Sequence, residues 1–456
     1  MAMGRRKKER QGEFWIAADQ VVGGPGHPFY RRLNEVFESC GFDRFVEGLC
    51  ERFYHEELGR PGIAPGVYFR MLRIGFFEGI DSERGIDWRC SDSLTLREFL
   101  GYTLAQRTPD HSTLCTIRQR IDRETHREVF AWVLAVVAEQ GLLKARTLGI
   151  DATTLEANAA MRSIVRKDTG ESYEQYLTAL AQANGIQTPT REDLTKIDRT
   201  RKNKASNQDW ESPSDPDAKI TKRKDGRTHA GGTEHASDLE TGAIVGVTLQ
   251  PADRGDTTSL DETVAEAVES LLDVREHGVE VDLPQEIVAD KGCHRDATCA
   301  DLKSMGFRSY LSEPDRGERN WAGKQSEPDA VYGNRRRIRG KRGKGLLRKR
   351  GELVERPFAH CHETGGMRRT HLRGHENLLK RLLIHVAGFN LALVLRVVFG
   401  LSKPRTLQDG LGGLLGAVLG EWRAWIRPVQ AVHAALTALL PIIGPNRSAQ
   451  PRLAAA

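Results

Sequence analysis

The sequence predicts an α/β protein: a mixed five-stranded sheet flanked by helices, placed behind an all-α N-terminal region and interrupted by a mostly helical and polar insertion. Three observations carry this. The apolar run Thr147-Leu148-Gly149-Ile150-Asp151 ends in a carboxylate, and Glu286-Ile287-Val288-Ala289-Asp290 repeats the design 139 residues later. Runs this short and apolar read as buried strands. Between them a glycine turn, Glu240-Thr241-Gly242, joins two strand-like segments, and before them apolar residues recur at helical spacing.

Composition sets the outer bounds. With 456 residues, 29% charged, 39% hydrophobic and a mean hydropathy of −0.49, the chain can bury two or three domains, and a collagen-like or wholly disordered chain is excluded. Seven scattered cysteines, an odd number with no C-x-x-C pair, favour a reducing compartment over a disulfide framework. The basic start, residues 1–11, runs into no apolar signal region, and no stretch offers 18 consecutive uncharged apolar residues. The expectation is a cytoplasmic protein without a membrane partner. A net charge of +6 argues little, but residues 335–350 hold ten Lys or Arg and no acid.

Taken in order, residues 1–27 read as a basic, poorly ordered start and 28–140 as helical. Tyr68-Phe69-Arg70-Met71-Leu72-Arg73-Ile74-Gly75-Phe76-Phe77 and residues 129–137 carry the helical spacing, and Thr108-Pro109-Asp110-His111 is a helix start. The helix opened there is expected to carry Arg118, Arg120 and Arg123, either as a helix-turn-helix-like DNA reader or as a plain basic face. Residues 141–400 form the α/β unit. Within it, 158–227 is an insertion with one helix marked by Tyr173, Tyr176, Leu177 and Leu180, then a polar stretch expected to be mobile or ordered by DNA. The hairpin pairs 233–239 with 243–249, a helix follows from Ser259, then come the strand ending at Asp290, a helix over 297–305 and a strand over 307–311. A long apolar helix covers 376–398, and 401–456 is a Gly/Ala/Leu/Pro-rich tail with a helix expected at 429–440.

The chemistry lies in the carboxylates. If the strands ending in Asp151 and Asp290 are parallel neighbours, their side chains stand roughly 5 Å apart, at the strand ends where open α/β sheets bind ligands. Repulsion between them is relieved by a proton or a divalent cation, and hard oxygen donors select Mg²⁺ or Mn²⁺. A third carboxylate completes a two-metal phosphodiester site with ions roughly 4 Å apart. Glu355 is the candidate, placed at a helix start because Pro357 belongs in a first turn, and Glu352 is its rival. Taken singly, Asp151 reads equally as a cap, Asp290 as a turn former and Glu355 as a solvated carboxylate. The cationic tract, Arg335, Arg336, Arg337, Arg339, Lys341, Arg342, Lys344, Arg348, Lys349 and Arg350, reads as a loop that follows a nucleic-acid backbone. A second basic cluster lies at 199–204 and 222–224. Cys293-His294, Cys299 and Cys361-His362 lack zinc spacing, and His371 with His375 is a DNA contact or nothing.

Together these residues resemble the bacterial insertion-sequence transposases of the DDE type, whose catalytic domain is RNase H-like. Gly62-Ile63-Ala64-Pro65, Phe76-Phe77-Glu78-Gly79-Ile80 and Pro109-Asp110-His111-Ser112-Thr113-Leu114 resemble the helical N-terminal domain of that family. Gly149-Ile150-Asp151-Ala152-Thr153, Ser214-Asp215-Pro216-Asp217-Ala218, Asp238-Leu239-Glu240-Thr241-Gly242, Ala289-Asp290-Lys291-Gly292 and Val354-Glu355-Arg356-Pro357-Phe358 resemble its successive catalytic blocks. The resemblance implies a transposase that binds terminal inverted repeats of double-stranded DNA as a homodimer. It implies that Asp151, Asp290 and Glu355 hold two Mg²⁺ ions for cleavage and strand transfer. Where many members carry Tyr and Arg before the glutamate and Lys seven positions after it, this chain has Arg348, Gly351 and His362. The arginine near the cleaved phosphate is then Arg350, Arg356 or Arg369. Two other readings of the same residues are an inactive or domesticated DNA-binding derivative and a nuclease that does not join strands.

Overall fold

Several helices begin where a proline or a side-chain cap meets the apolar spacing. In the computed structural model, which describes residues 26–55, 62–201, 206–223, 226–254, 259–315, 317, 319 and 321–404, Pro28 opens α1 (Pro28–Ser39) with His27 Nδ1 accepting from the Phe29 amide at 3.2 Å. α2 (Phe42–Cys50), α3 (Pro65–Glu78), α4 (Glu83–Asp92) and α5 (Leu94–Phe99) follow. Asp110 caps α6 (His111–Arg120) through the Thr113 amide at 2.8 Å, and Asp122 caps α7 (Arg123–Glu139) through the Thr125 amide at 2.8 Å. Extended Ile121 and Asp122 separate these two helices. Arg123, expected on α6, therefore begins α7 and pairs with Glu124 at 2.8 Å.

The sheet is built from β1 (Thr147–Glu156), β5 (Gly226–Asp238), β6 (Ile244–Pro251), β7 (Glu286–Ala289) and β8 (Arg308–Leu311) in the order β6-β5-β1-β7-β8. β5 runs antiparallel to β1 and β6, whereas β7 is parallel to β1 and β8 to β7. Parallel neighbours require crossovers, supplied by α10 (Leu260–Glu276) before β7 and α11 (Asp296–Ser304) before β8. Gly242 turns the β5–β6 hairpin at φ +81°, in the left-handed region that glycine enters freely. This mixed sheet with helices on its faces, behind a helical region, is the predicted α/β class and is consistent with an RNase H-like fold.

The insertion is more ordered than its polar composition predicts. It forms β2 (Val165–Arg166), α8 (Tyr173–Ala183), α9 (Arg191–Thr200) and β3 (Trp210–Glu211), then returns as β4 (Lys219–Arg223), a sixth strand along the first half of β5. The reason is one tryptophan. Trp210 sits edge-on to Tyr173 and Tyr176 at 4.9 and 5.4 Å and packs with Ile164 and Ile220, a small core of its own. Of the second basic cluster, residues 202–204 and 224 lie outside the described residues.

The basic tract is not a loop either. It forms the end of α12 (Glu327–Arg339) and the first part of α13 (Lys341–Phe358), broken at Gly340. Gly343 lets the two helices meet, since a Cβ there would collide with the Arg337 carbonyl. Pro357 lies in the last turn of α13, not the first, so Glu355 stands near a helix end. A proline so late removes one hydrogen bond, and the chain widens immediately afterwards into a π turn, Ala359–Thr364.

α14 (His375–Phe399) ties the whole together. It is long and apolar enough to cross a membrane by composition, but 78% of its most apolar window is buried inside the protein, against α7, α3 and β6. Buried Asn390 accepts from the Ile244 amide at 2.9 Å and donates to the Ile244 carbonyl at 2.8 Å, pinning α14 to the sheet. One apolar cluster runs from Phe29 through Ile150 to Val398. The basic start up to residue 25 and the tail from 405, with its expected helix at 429–440, lie outside the described residues.

Candidate active site and nucleic-acid interface

The β1–β7 pair brings the first two carboxylates to the same end of the sheet. Its last registered partners are Gly149 and Val288, and Asp151 and Asp290 each follow two residues later. β1 does not end at Asp151 as the sequence suggests. It continues to Glu156 along β5, with Asp151 opposite His235, because β5 offers partners over its full length. Asp290 leaves β7 at once, and its Oδ1 accepts from the Gly292 and Cys293 amides at 2.8 and 3.3 Å, starting a 3-10 turn.

α13 crosses this end of the sheet, and Gly149 admits it. A Cβ at 149 would stand 2.5 Å from Leu239 Cδ2 and 2.9 Å from Val354 Cγ2. Buried Val354 packs with Leu239, Val288 and Tyr310, which brings Arg350, one turn earlier, and Glu355, the next residue, to the same edge. Arg350 Nη2 lies 2.5 Å from Asp151 Oδ1, and its Nε donates to the Ile150 carbonyl at 3.2 Å. Burial pushes the Asp151 carboxyl above its ordinary range. Arg350 and the Ala152 amide at 2.9 Å oppose the shift, and the negative charges of Asp290 and Glu355 add to it. Of the two acids considered on α13, Glu355 is thus the one that acts on Asp151 among its leading perturbers.

Three carboxylates brought from β1, the end of β7 and α13 to one sheet edge are the hard oxygen donors that Mg²⁺ and Mn²⁺ take, so the donor set fits such an ion. As the side chains stand, no three acidic, histidine or cysteine groups among the described residues are close enough to enclose one. The convergence expected from sequence is therefore one of elements and of charge, short of a preformed cage, and the positive charge seated on Asp151 is Arg350.

The predicted basic contacts divide into two groups. Several cations are paired with groups of the chain itself, Arg342 while remaining exposed. Arg118 pairs with Glu83 and is 11% exposed. Arg335 grips Glu313 with both arms at 2.7 and 2.6 Å. Arg337 donates to Ser309 at 2.9 Å, and Arg342 grips Glu286 at 3.2 and 2.5 Å. Arg120, Arg336, Arg339, Lys341, Lys344, Arg348, Arg356 and Arg369 are exposed, with Arg120 over the Tyr54 ring at 5.1 Å. Helix formation is the cause of the split, since it turns part of one basic run inward and the rest outward.

Other candidates are local. His371 contacts Asp81 at 3.0 Å and His375 the Leu249 carbonyl at 2.7 Å. Cys299 and His294 are buried 3.9 Å apart. His362, in the position where many family members have lysine, is buried against Thr233 at 3.4 Å, and burial pushes it down to about 4. His235 was not singled out by the sequence. It is fully buried opposite Asp151, stacked on Phe358 at 4.2 Å, with neither ring nitrogen hydrogen-bonded. A lone histidine in a hairpin strand carries no signal until the pairing register is known.

A helical region joined to a mixed sheet, with acids toward one edge and a cationic helix across it, defines an α/β protein with a candidate acidic site beside exposed cations. Residues 17–120, which include α1 to α6, match the family model described as Transposase domain (DUF772), and this stretch is what the chain shares with that family. All three N-terminal blocks quoted above lie inside that match. A comparison with curated proteins gives no match.

Proposed function

We propose that the chain is a DNA transposase that binds terminal inverted repeats as a homodimer and cleaves and joins DNA at Asp151, Asp290 and Glu355. The observation that carries this is the registered pairing of β1 with β7, which aligns Asp151 with Asp290, together with the charge of Glu355 acting on Asp151 from α13. The transposase-domain match supports the DNA partner.

Two Mg²⁺ ions, or Mn²⁺ in their place, would supply activation of the attacking hydroxyl and neutralisation of the phosphodiester when held by these three carboxylates. The chain's own residues do the rest. Asp151 is held by its pairing opposite His235 on β5, so its carboxylate presents a constant position. Asp290 is oriented by two backbone amides. Glu355 rides on a helix anchored by Val354. The exposed cations Arg336, Arg339, Lys341, Lys344 and Arg348 line the approach along α12 and α13 and hold phosphates irrespective of sequence.

Asp151→Asn, Asp290→Asn and Glu355→Gln are expected to lower Mg²⁺-dependent cleavage of labelled transposon ends by at least about a thousandfold, with duplex binding retained. Strand-joining products distinguish a transposase from a simple nuclease. A second reading, a DNA-binding derivative without cleavage, is favoured by the absence of a preformed three-group cage among the described residues. It requires that the unsubstituted protein bind ends yet leave them uncut.

A further inference from the structure

We propose that Arg350 is a displaceable counter-ion of Asp151: the guanidinium and a divalent cation compete for this carboxylate, and the cation's arrival frees the arginine for the phosphodiester. The inference deepens the function proposed above, because it rests on Asp151 as a cation ligand.

The pairing differs from its neighbours in the same two helices. Arg335 and Arg342 each grip a carboxylate with both arms, through directed hydrogen bonds to Glu313 and Glu286. Such fork-to-fork pairs are the arrangement in which an arginine is most fully satisfied. Arg350 is held otherwise. Its Nε is spent on the Ile150 carbonyl at 3.2 Å, and Nη2 lies 2.5 Å from Asp151 Oδ1 without a directed hydrogen bond, although it is buried. The contact is charge against charge. A buried N–H that is close to an anion but not aimed at it has a better partner available in any oxygen that arrives in line.

The site around it has charge to spare. Asp290 and Glu355 both act on Asp151, so its carboxylate has one guanidinium in contact and two further negative charges acting on it. A cation is drawn there by the same field that holds Arg350, and the two positive charges repel each other across the shared carboxylate. Arg350 is 12% exposed and its helix stays anchored by Val354, so release needs only a side-chain rotation toward the open end of the sheet. A planar fork freed beside bound cations suits a phosphate oxygen pair. Cation binding and DNA binding are then positively coupled through one residue, and the coupling is reciprocal.

The experiment is a Mn²⁺ titration of the full chain without DNA, by calorimetry, on the unsubstituted protein and on Arg350→Gln, Arg350→Lys, Asp151→Asn and Asp290→Asn. Arg350→Gln is expected to bind Mn²⁺ about tenfold more tightly, the order for removing one like charge a few ångströms away, while Arg350→Lys stays near the unsubstituted value. A purely structural arginine gives no such gain. Arg350→Met, which keeps the packed stem, replaces the glutamine variant if that loosens the fold. In a companion measurement, Ca²⁺ strengthens binding of a short duplex to the unsubstituted protein and fails to do so for Arg350→Gln. Equal or weaker Mn²⁺ binding by folded Arg350→Gln and Arg350→Met overturns the inference. If Asp151→Asn and Asp290→Asn abolish Mn²⁺ binding and the arginine variants change nothing, only the inference falls. If the aspartate variants leave binding untouched, the metal reading of the site falls with it.

Discussion

Arg118 shows how far a residue's type can mislead about its role. In sequence it is one of a series of arginines on a capped helix, a natural DNA contact. In the structure it pairs with Glu83, itself 10% exposed, and its backbone carbonyl accepts from Lys380 Nζ at 3.2 Å. It therefore joins α6 to α4 and α14. Arg118→Gln is expected to cost about 3 kcal/mol, because it leaves a buried carboxylate uncompensated. Urea unfolding measures that loss, and a folded variant should bind duplex DNA as the unsubstituted protein does. A large fall in DNA affinity with unchanged stability would instead restore the contact role. Asp151 illustrates the opposite case: its type and its place after an apolar run were legible, but the arginine seated on it was not, since the two lie far apart in sequence.

At the scale of elements, α13 is the decisive piece. Its composition is polar, glycine-containing and interrupted by Pro357, which reads as a loop followed by a new helix. Packing overrules the local preference. Val354 and Phe358 bury against the sheet, Gly343 lets α12 approach, and the π turn accommodates the proline. Gly149 is the matching concession in β1. Gly149→Ala forces a Cβ against Leu239 and Val354, so it is expected to cost about 1–3 kcal/mol and to lift α13 from the strand. Cleavage should fall more than the stability loss explains, because Arg350 and Glu355 ride on the same helix. Thermal unfolding and an end-cleavage assay on one preparation separate the two effects; cleavage at the unsubstituted rate would mean that the helix keeps its place. The hairpin, by contrast, was readable from its turn, because Gly242 and its flanking β-formers act locally.

Across the whole molecule, the helical region and the sheet share one core through α14, and that core buries several histidines in neutral form. Burial pushes His126 and His362 down to about 4 and His235 and His385 well below their ordinary value. Above pH 6.5 these rings are neutral in the folded and unfolded chain alike and the pH leaves stability unchanged through them. As pH falls from 6.5 toward 4 the unfolded chain takes up protons that the folded one refuses, so stability is lost across that window. For His126, 1% exposed, the loss approaches about 3 kcal/mol. The unfolding midpoint is expected to fall steadily between pH 6.5 and 4, and His126→Gln should flatten the slope. A midpoint independent of pH over that range would contradict the neutral, buried assignment.

What the sequence determined by itself is what short-range chemistry determines: the helix cap at Asp110, the hairpin at Gly242, the apolar runs that become β1 and β7, and the carboxylates that follow them. These depend on side chains within a few positions of one another, and period and turn preference report them directly. What only the tertiary structure decided is which charges meet. Arg350 reaches Asp151 and Glu355 acts on it because α13 lies across β1, and Arg335 and Arg342 meet Glu313 and Glu286 because the tract is helical. Charges interact through space over distances that sequence order does not encode, so a basic run or an isolated acid acquires its partner only when packing fixes the helix that carries it.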